Sequence, residues 1–137
     1  MATDQTNEVG VGPHPKPWPT EPHFDPDLLA EGDRRNVLDH YRYWSVDAIV
    51  ADLDRHRHGF HVAIENWEHD FNIGSVVRNS SAFLASAVHI IGRQRWGRRG
   101  AMTTHRYLHV HDDVDGEAFV GWAAAADLPI VAIDNVN

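Results

Sequence analysis

From Gly59 onward, short apolar runs alternate with longer amphipathic ones, and that order is the strongest constraint on the fold. Phe60–Ile64 (FHVAI) and Ala87–Ile91 (AVHII) are short, apolar and β-branched, which predicts strands. Asn72–Leu84 lies between them with helical spacing. Tyr107–Val110 is a predicted third strand, and Asp115–Ala126 a helix that Asp115 can cap. Pro129–Ile133 (PIVAI) is a predicted fourth strand, its proline at the permitted first position. Strands that alternate with helices imply a parallel sheet with helices against its faces, a Rossmann-like α/β fold. In such sheets ligands bind beyond the carboxyl ends of the strands, so loops 65–72, 92–100 and 134–137 form the expected working edge.

Upstream, the pattern is different. Residues 1–27 hold six of the seven prolines, which removes ladder donors and favours extended chain. This stretch is expected to be a mobile or surface-clinging tail, with Trp18 and Phe24 as possible anchors; a proline-motif ligand is the alternative. Residues 28–58 read as a helical extension, because Val37, Leu38, Tyr41, Trp44, Ile49 and Leu53 recur at roughly three and four. A break near Ser45 would let its hydroxyl cap a second helix. Residues 59–137 are the α/β domain. The tract His56–Arg57–His58 suggests a metal site, but no second ligand cluster stands at a fitting spacing, so none is expected.

The chain has no cysteine, hence no disulfide framework or thiolate metal site. No apolar run reaches the roughly 18 residues of a membrane span. The opening MATDQTNEVG lacks the charged-then-apolar pattern of a signal peptide, and a cytoplasmic protein without a membrane partner is expected.

A net charge of −8 argues at first against a nucleic-acid partner. The distribution reverses that argument. Between Phe71 and His111 stand six arginines (Arg78, Arg93, Arg95, Arg98, Arg99 and Arg106) and no aspartate or glutamate. Screening over about 8 Å makes this local balance count for more than the total. On a helical wheel, Ile73, Val77, Ser80 and Leu84 form the stripe that faces the sheet, and Arg78 points roughly 140° away from Ile73. Gly74, Ser81 and Ala85 leave a nearly flat patch around it, near the helix end that attracts anions. Neither G-x-G-x-x-G nor G-x-x-x-x-G-K-[ST] follows the first strand, which argues against a dinucleotide enzyme and a P-loop.

Val62–Ala63–Ile64–Glu65–Asn66, Asn72–Ile73–Gly74–Ser75–Val76–Val77–Arg78–Asn79, Phe83, and Val88–His89–Ile90–Ile91–Gly92 together resemble the first motif of the SpoU (TrmH-type) RNA ribose methyltransferases of the SPOUT superfamily. The likeness covers about residues 60–134 and includes a GAMTTH segment at Gly100–His105. It implies a SPOUT-type fold, a homodimer, and methyl transfer from S-adenosylmethionine to a ribose 2′-hydroxyl of tRNA or rRNA. Carried over by position, Arg78 matches the catalytic arginine, Asn66 and Asn72 join it at the site, and Gly74 and Asn79 shape it. An arginine is a poor proton acceptor, so Arg78 is expected to stabilise a developing alkoxide and to clamp a phosphate. Arg93, Arg95, Arg98 and Arg99 would hold the RNA backbone, and Trp96 either stacks on a splayed base or packs internally.

The family's second and third motifs, which supply most of the cofactor site and thread its C-terminal trefoil knot, do not occur before Asn137. The expectation is therefore an incomplete methyltransferase domain with the knot missing, whose cofactor residues lie beyond Asn137. Two alternatives stand beside it: an RNA-binding remnant without catalysis, and an interaction module whose Arg78 patch forms a dimer surface.

Overall fold

The computed structural model describes residues 9–67 and 72–134. Predicted loop residues 68–71 and 135–137, and the first eight residues of the proline-rich segment, lie outside the described residues. The chain divides into two compact units, Met1–His56 and Arg57–Asn137.

The proline-rich stretch and the predicted helical extension fall in the same unit. Val11 and Asp33 form an antiparallel bridge, as do Phe24 and Trp44. His14 N–H donates to Leu29 O at 2.9 Å, and Tyr43 Oη to Gly12 O at 2.6 Å. Two helices frame this unit: α1 (Pro26–Glu31), capped by Asp25, and α2 (Val46–Asp54), capped by Ser45 as its spacing predicts. The stretch 35–44 is not the expected helix and holds only a 3-10 turn at Asp39–Tyr41. The cause is Asp33. Its carboxylate, 0% exposed, accepts from the backbone N–H groups of Arg35 (3.0 Å) and Tyr43 (2.9 Å) and from the Arg35 guanidinium (2.7 Å). A loop wound around a buried anion thus displaces the helical ladder.

In the second unit, β1 (His58–Asn66), β2 (Ala85–Gly92) and β3 (Val110–Asp113) form a three-stranded parallel sheet in the order β1-β2-β3. Helix α3 (Ile73–Ala82) links β1 to β2, and α4 (Gly116–Ala125), capped by Asp115, follows β3. The architecture is the predicted α/β arrangement, a parallel sheet flanked by helices. Ile73 and Val77 of α3 pack on Val88, Ile90 and Leu108, with Val62, Ile64 and Val110 completing the cluster. Each such side chain, fully buried, contributes about 1.5–3 kcal/mol.

Two strand boundaries differ from expectation. Tyr107 and Leu108 are buried, yet the third strand begins only at Val110 and runs into polar residues. A 3-10 turn at Thr104–Arg106 delays the ladder, so the apolar tract fills the core before pairing starts. Pro129–Ile133 is not a fourth strand. Val131 and Ile133 are 84% and 98% exposed, and the segment borders a cleft of about 700 Å³ alongside β1 without a ladder to it. Among the described residues no helix is long and apolar enough to cross a membrane.

Candidate nucleic-acid interface

Arg78 is exposed, but it sits in the second half of α3 rather than near the end that attracts anions, because the helix begins only at Ile73 and ends at Ala82. Among the described residues it makes no hydrogen bond or ion pair. Asn72 occupies the N-cap of α3 in a helical conformation, and its exposed side chain makes no capping bond. Its carbonyl accepts the first helical bond, from Val76 N–H at 2.9 Å.

The flat patch expected around Arg78 is corrected in part. Gly74 is buried and Ala85 belongs to β2, where it is also buried. A Cβ at Gly74 would stand 2.9 Å from Ala101 N and from Gly100 Cα. Glycine there lets the 3-10 turn Arg98–Ala101 lie directly on the helix. Gly74 and Arg78 are four apart and share a helix face, so the turn bearing Arg98 and Arg99 lies one helical turn from Arg78.

Asn66 organises the other arginines. It is buried at the end of β1, and its Nδ2 donates to the carbonyls of Arg93 (2.6 Å) and Arg95 (3.0 Å). Its backbone carbonyl accepts from Arg93 N–H at 3.0 Å. Gly92, at φ 99°, turns the chain above it in a conformation that side chains resist. Asn66 therefore holds the Arg93–Arg95 loop in place; its amide is committed below the surface. Trp67 follows, 48% exposed, and its ring lies 2.9 Å from where a Cβ on Gly92 would stand. The expectations for the working edge did not single out Trp67; its place beside Asn66 and the strand-end glycine was the available signal.

Arg93, Arg95, Arg98 and Arg99 are all exposed. Trp96 packs against the core cluster with the Arg98 guanidinium 5.9 Å from its ring centroid, so internal packing is the arrangement found. Met102 (φ 49°) and Thr103 (φ 66°) are consecutive left-handed residues. For β-branched threonine this is an outlier, and such strain collects at functional loops. His105, edge-on to Trp96 at 5.9 Å, has a buried Nδ1 without a partner. Burial, then the charges of Arg98 and Arg106, depress its proton affinity.

The structure thus lays the turn that carries Arg98 and Arg99 on α3 one helical turn from Arg78, and ties the Arg93 and Arg95 carbonyls to Asn66. Asn79 stands apart, lining an apolar cleft of about 280 Å³ with Phe60, Val62, Val76, Ser80 and Phe83. Among the described residues no group of three or more His, Asp or Glu is placed to hold a metal. No family model, curated protein or solved structure matches the chain.

Proposed function

We propose that the second unit is the RNA-facing part of a SpoU-type RNA 2′-O-ribose methyltransferase, with a tRNA or rRNA backbone as its partner. The observation that carries this reading is an exposed arginine without a partner among the described residues, one helical turn from an arginine-bearing loop, in a stretch without acidic residues.

Arg93, Arg95, Arg98 and Arg99 meet phosphates, and guanidinium forks suit phosphate oxygens. The exposed ring of Trp67 supplies a stacking face for an unpaired base. A ribose 2′-hydroxyl loses its proton as its oxygen is methylated, and negative charge grows there. Arg78, a donor with no acceptor lone pair, stabilises that charge and clamps an adjacent phosphate, and the proton passes to solvent water. At the strand ends the Asn66 amide is committed to loop carbonyls and is not free to hold S-adenosylmethionine. That same commitment favours a second reading, an RNA-binding unit without catalysis of its own.

The test is RNA binding by the full chain across a salt series. With five arginines engaged, log K should fall against log salt with a slope of about −3.5 on single-stranded RNA. Arg78→Ala should weaken binding and reduce the slope by about 0.7, while Arg78→Lys restores most of it. An unchanged affinity and slope in Arg78→Ala overturns the reading. Methyl incorporation from labelled S-adenosylmethionine separates the enzyme from the non-catalytic reading.

A further inference from the structure

The sheet has two unlike faces. Val62, Ile64, Val88, Ile90 and Val110 form the dry side under α3. Strand alternation puts His61, His89, His111 and Asp113 on the opposite side. His89 is 1% exposed, and both of its ring nitrogens are engaged: Nδ1 lies 2.8 Å from Asp113 Oδ2 and Nε2 lies 3.3 Å from His61 Nδ1. Trp122 of α4 covers both imidazoles, its centroid 4.2 Å from that of His89 and 5.0 Å from that of His61. Packing alone does not call for this arrangement, because valine and isoleucine fill the other face without the desolvation cost of polar rings.

The chain of bonds has a direction. A carboxylate only accepts, so Nδ1 of His89 donates to Asp113. In the arrangement with one proton on each ring, Nε2 of His89 accepts from Nδ1–H of His61, and Nε2 of His61 is left as an acceptor. Burial depresses the proton affinity of His61, and the neighbouring imidazoles of His89 and His111 lower it further when they carry charge. His61, Phe119 and Trp122 border a cavity of about 390 Å³ whose other walls are apolar, among them Leu128 and Ile130. Gly59 and Phe60 place the cavity at the start of β1, whereas Asn66 and the arginine loop are at its end. Its volume is at the small end for ligand pockets, which are mostly apolar with a few directed polar groups.

We propose that this cavity binds a small neutral heteroaromatic ring, of one or two cycles, that stacks on Trp122 and donates an N–H to Nε2 of His61. Asp113 and His89 fix which His61 nitrogen accepts. A ring without an N–H leaves that acceptor unpartnered.

Indole and 1-methylindole, which differ in the N–H, are the probes. On the full ¹⁵N-labelled chain, long-range ¹H–¹⁵N spectra should show His61 and His89 with their protons on Nδ1. Indole should shift the His61 resonances and bind about ten-fold tighter than 1-methylindole, equivalent to about 1.4 kcal/mol. His61→Phe should lose that preference while keeping the wild-type circular dichroism. If that variant does not fold, the tautomers and the two-probe comparison on the wild-type chain decide the matter. Equal affinity for the two probes, no binding of indole, or a proton on Nε2 of His61 overturns the proposal. So does pairing of residues 129–133 with β1 across the cavity, seen as cross-strand contacts.

Discussion

Asn66 carries two loop carbonyls on one amide nitrogen, and that burden decides what its loss does. Asn66→Ala leaves both acceptors without a donor and should cost about 1–3 kcal/mol, read as a lower urea midpoint, with RNA affinity falling as the Arg93–Arg95 loop loosens. Asn66→Asp should fare no better, since a carboxylate offers a carbonyl no hydrogen. In the first unit the critical residue is Asp33. Burial raises its pKa, but the Arg35 side-chain bond and the backbone N–H groups of Tyr43 and Arg35 outweigh it and bring the value to about 2, against 3.8 unperturbed. A depressed folded pKa means that stability is fully present above pH 3.8 and is lost as pH falls through about 2. The shift is equivalent to roughly 2 kcal/mol. Acid titration of the tertiary fluorescence signal should show that loss, and Asp33→Asn should flatten it. The sequence marked Asn66 by type and position, but not its partners 27 and 29 residues onward. Asp33 read as one acid among many because burial is not written in a single residue.

At the scale of elements, the meeting of α3 with the Arg98–Ala101 turn inverts a common rule. Gly→Ala in an exposed helix interior usually adds about 1 kcal/mol of stability. At Gly74 the new methyl group would press on backbone atoms 2.9 Å away. Gly74→Ala should therefore destabilise by about 1–3 kcal/mol in thermal melts and weaken RNA binding by displacing Arg98 and Arg99. The elements themselves were largely legible. Of the α3 stripe, Ile73, Val77 and Ser80 are buried as their spacing requires, whereas Leu84 lies past the helix end at φ 54° and is half-buried. The caps at Ser45 and Asp115 each accept the backbone N–H three residues on. Periodicity misleads where apolar content signals burial without pairing. Tyr107 and Leu108 are core without ladder, and β3 hides in the polar run VHDD, its histidine and aspartate on the face under α4. Gly74, read as part of an open patch, is a contact, because a glycine looks the same in sequence whether it faces solvent or another backbone.

For the whole molecule, the main fact is a separation of charge. Acidic residues outnumber basic ones by eight, yet residues 71–111, which carry the candidate interface, contain none. The second large-scale fact is the bare edge of β1, with an apolar run beside it that pairs with nothing among the described residues. An unpaired strand edge next to exposed Ile130, Val131 and Ile133 is a template for joining one molecule to the next. Concentrated solutions should therefore scatter light increasingly with time, most of all at the salt levels that mute the net negative charge. Val131→Lys sets a like charge along that rim and should hold the protein monodisperse without lowering its melting temperature. In practical terms, the run Pro129–Ile133 sets how concentrated a sample can be kept before its molecules join along the β1 rim.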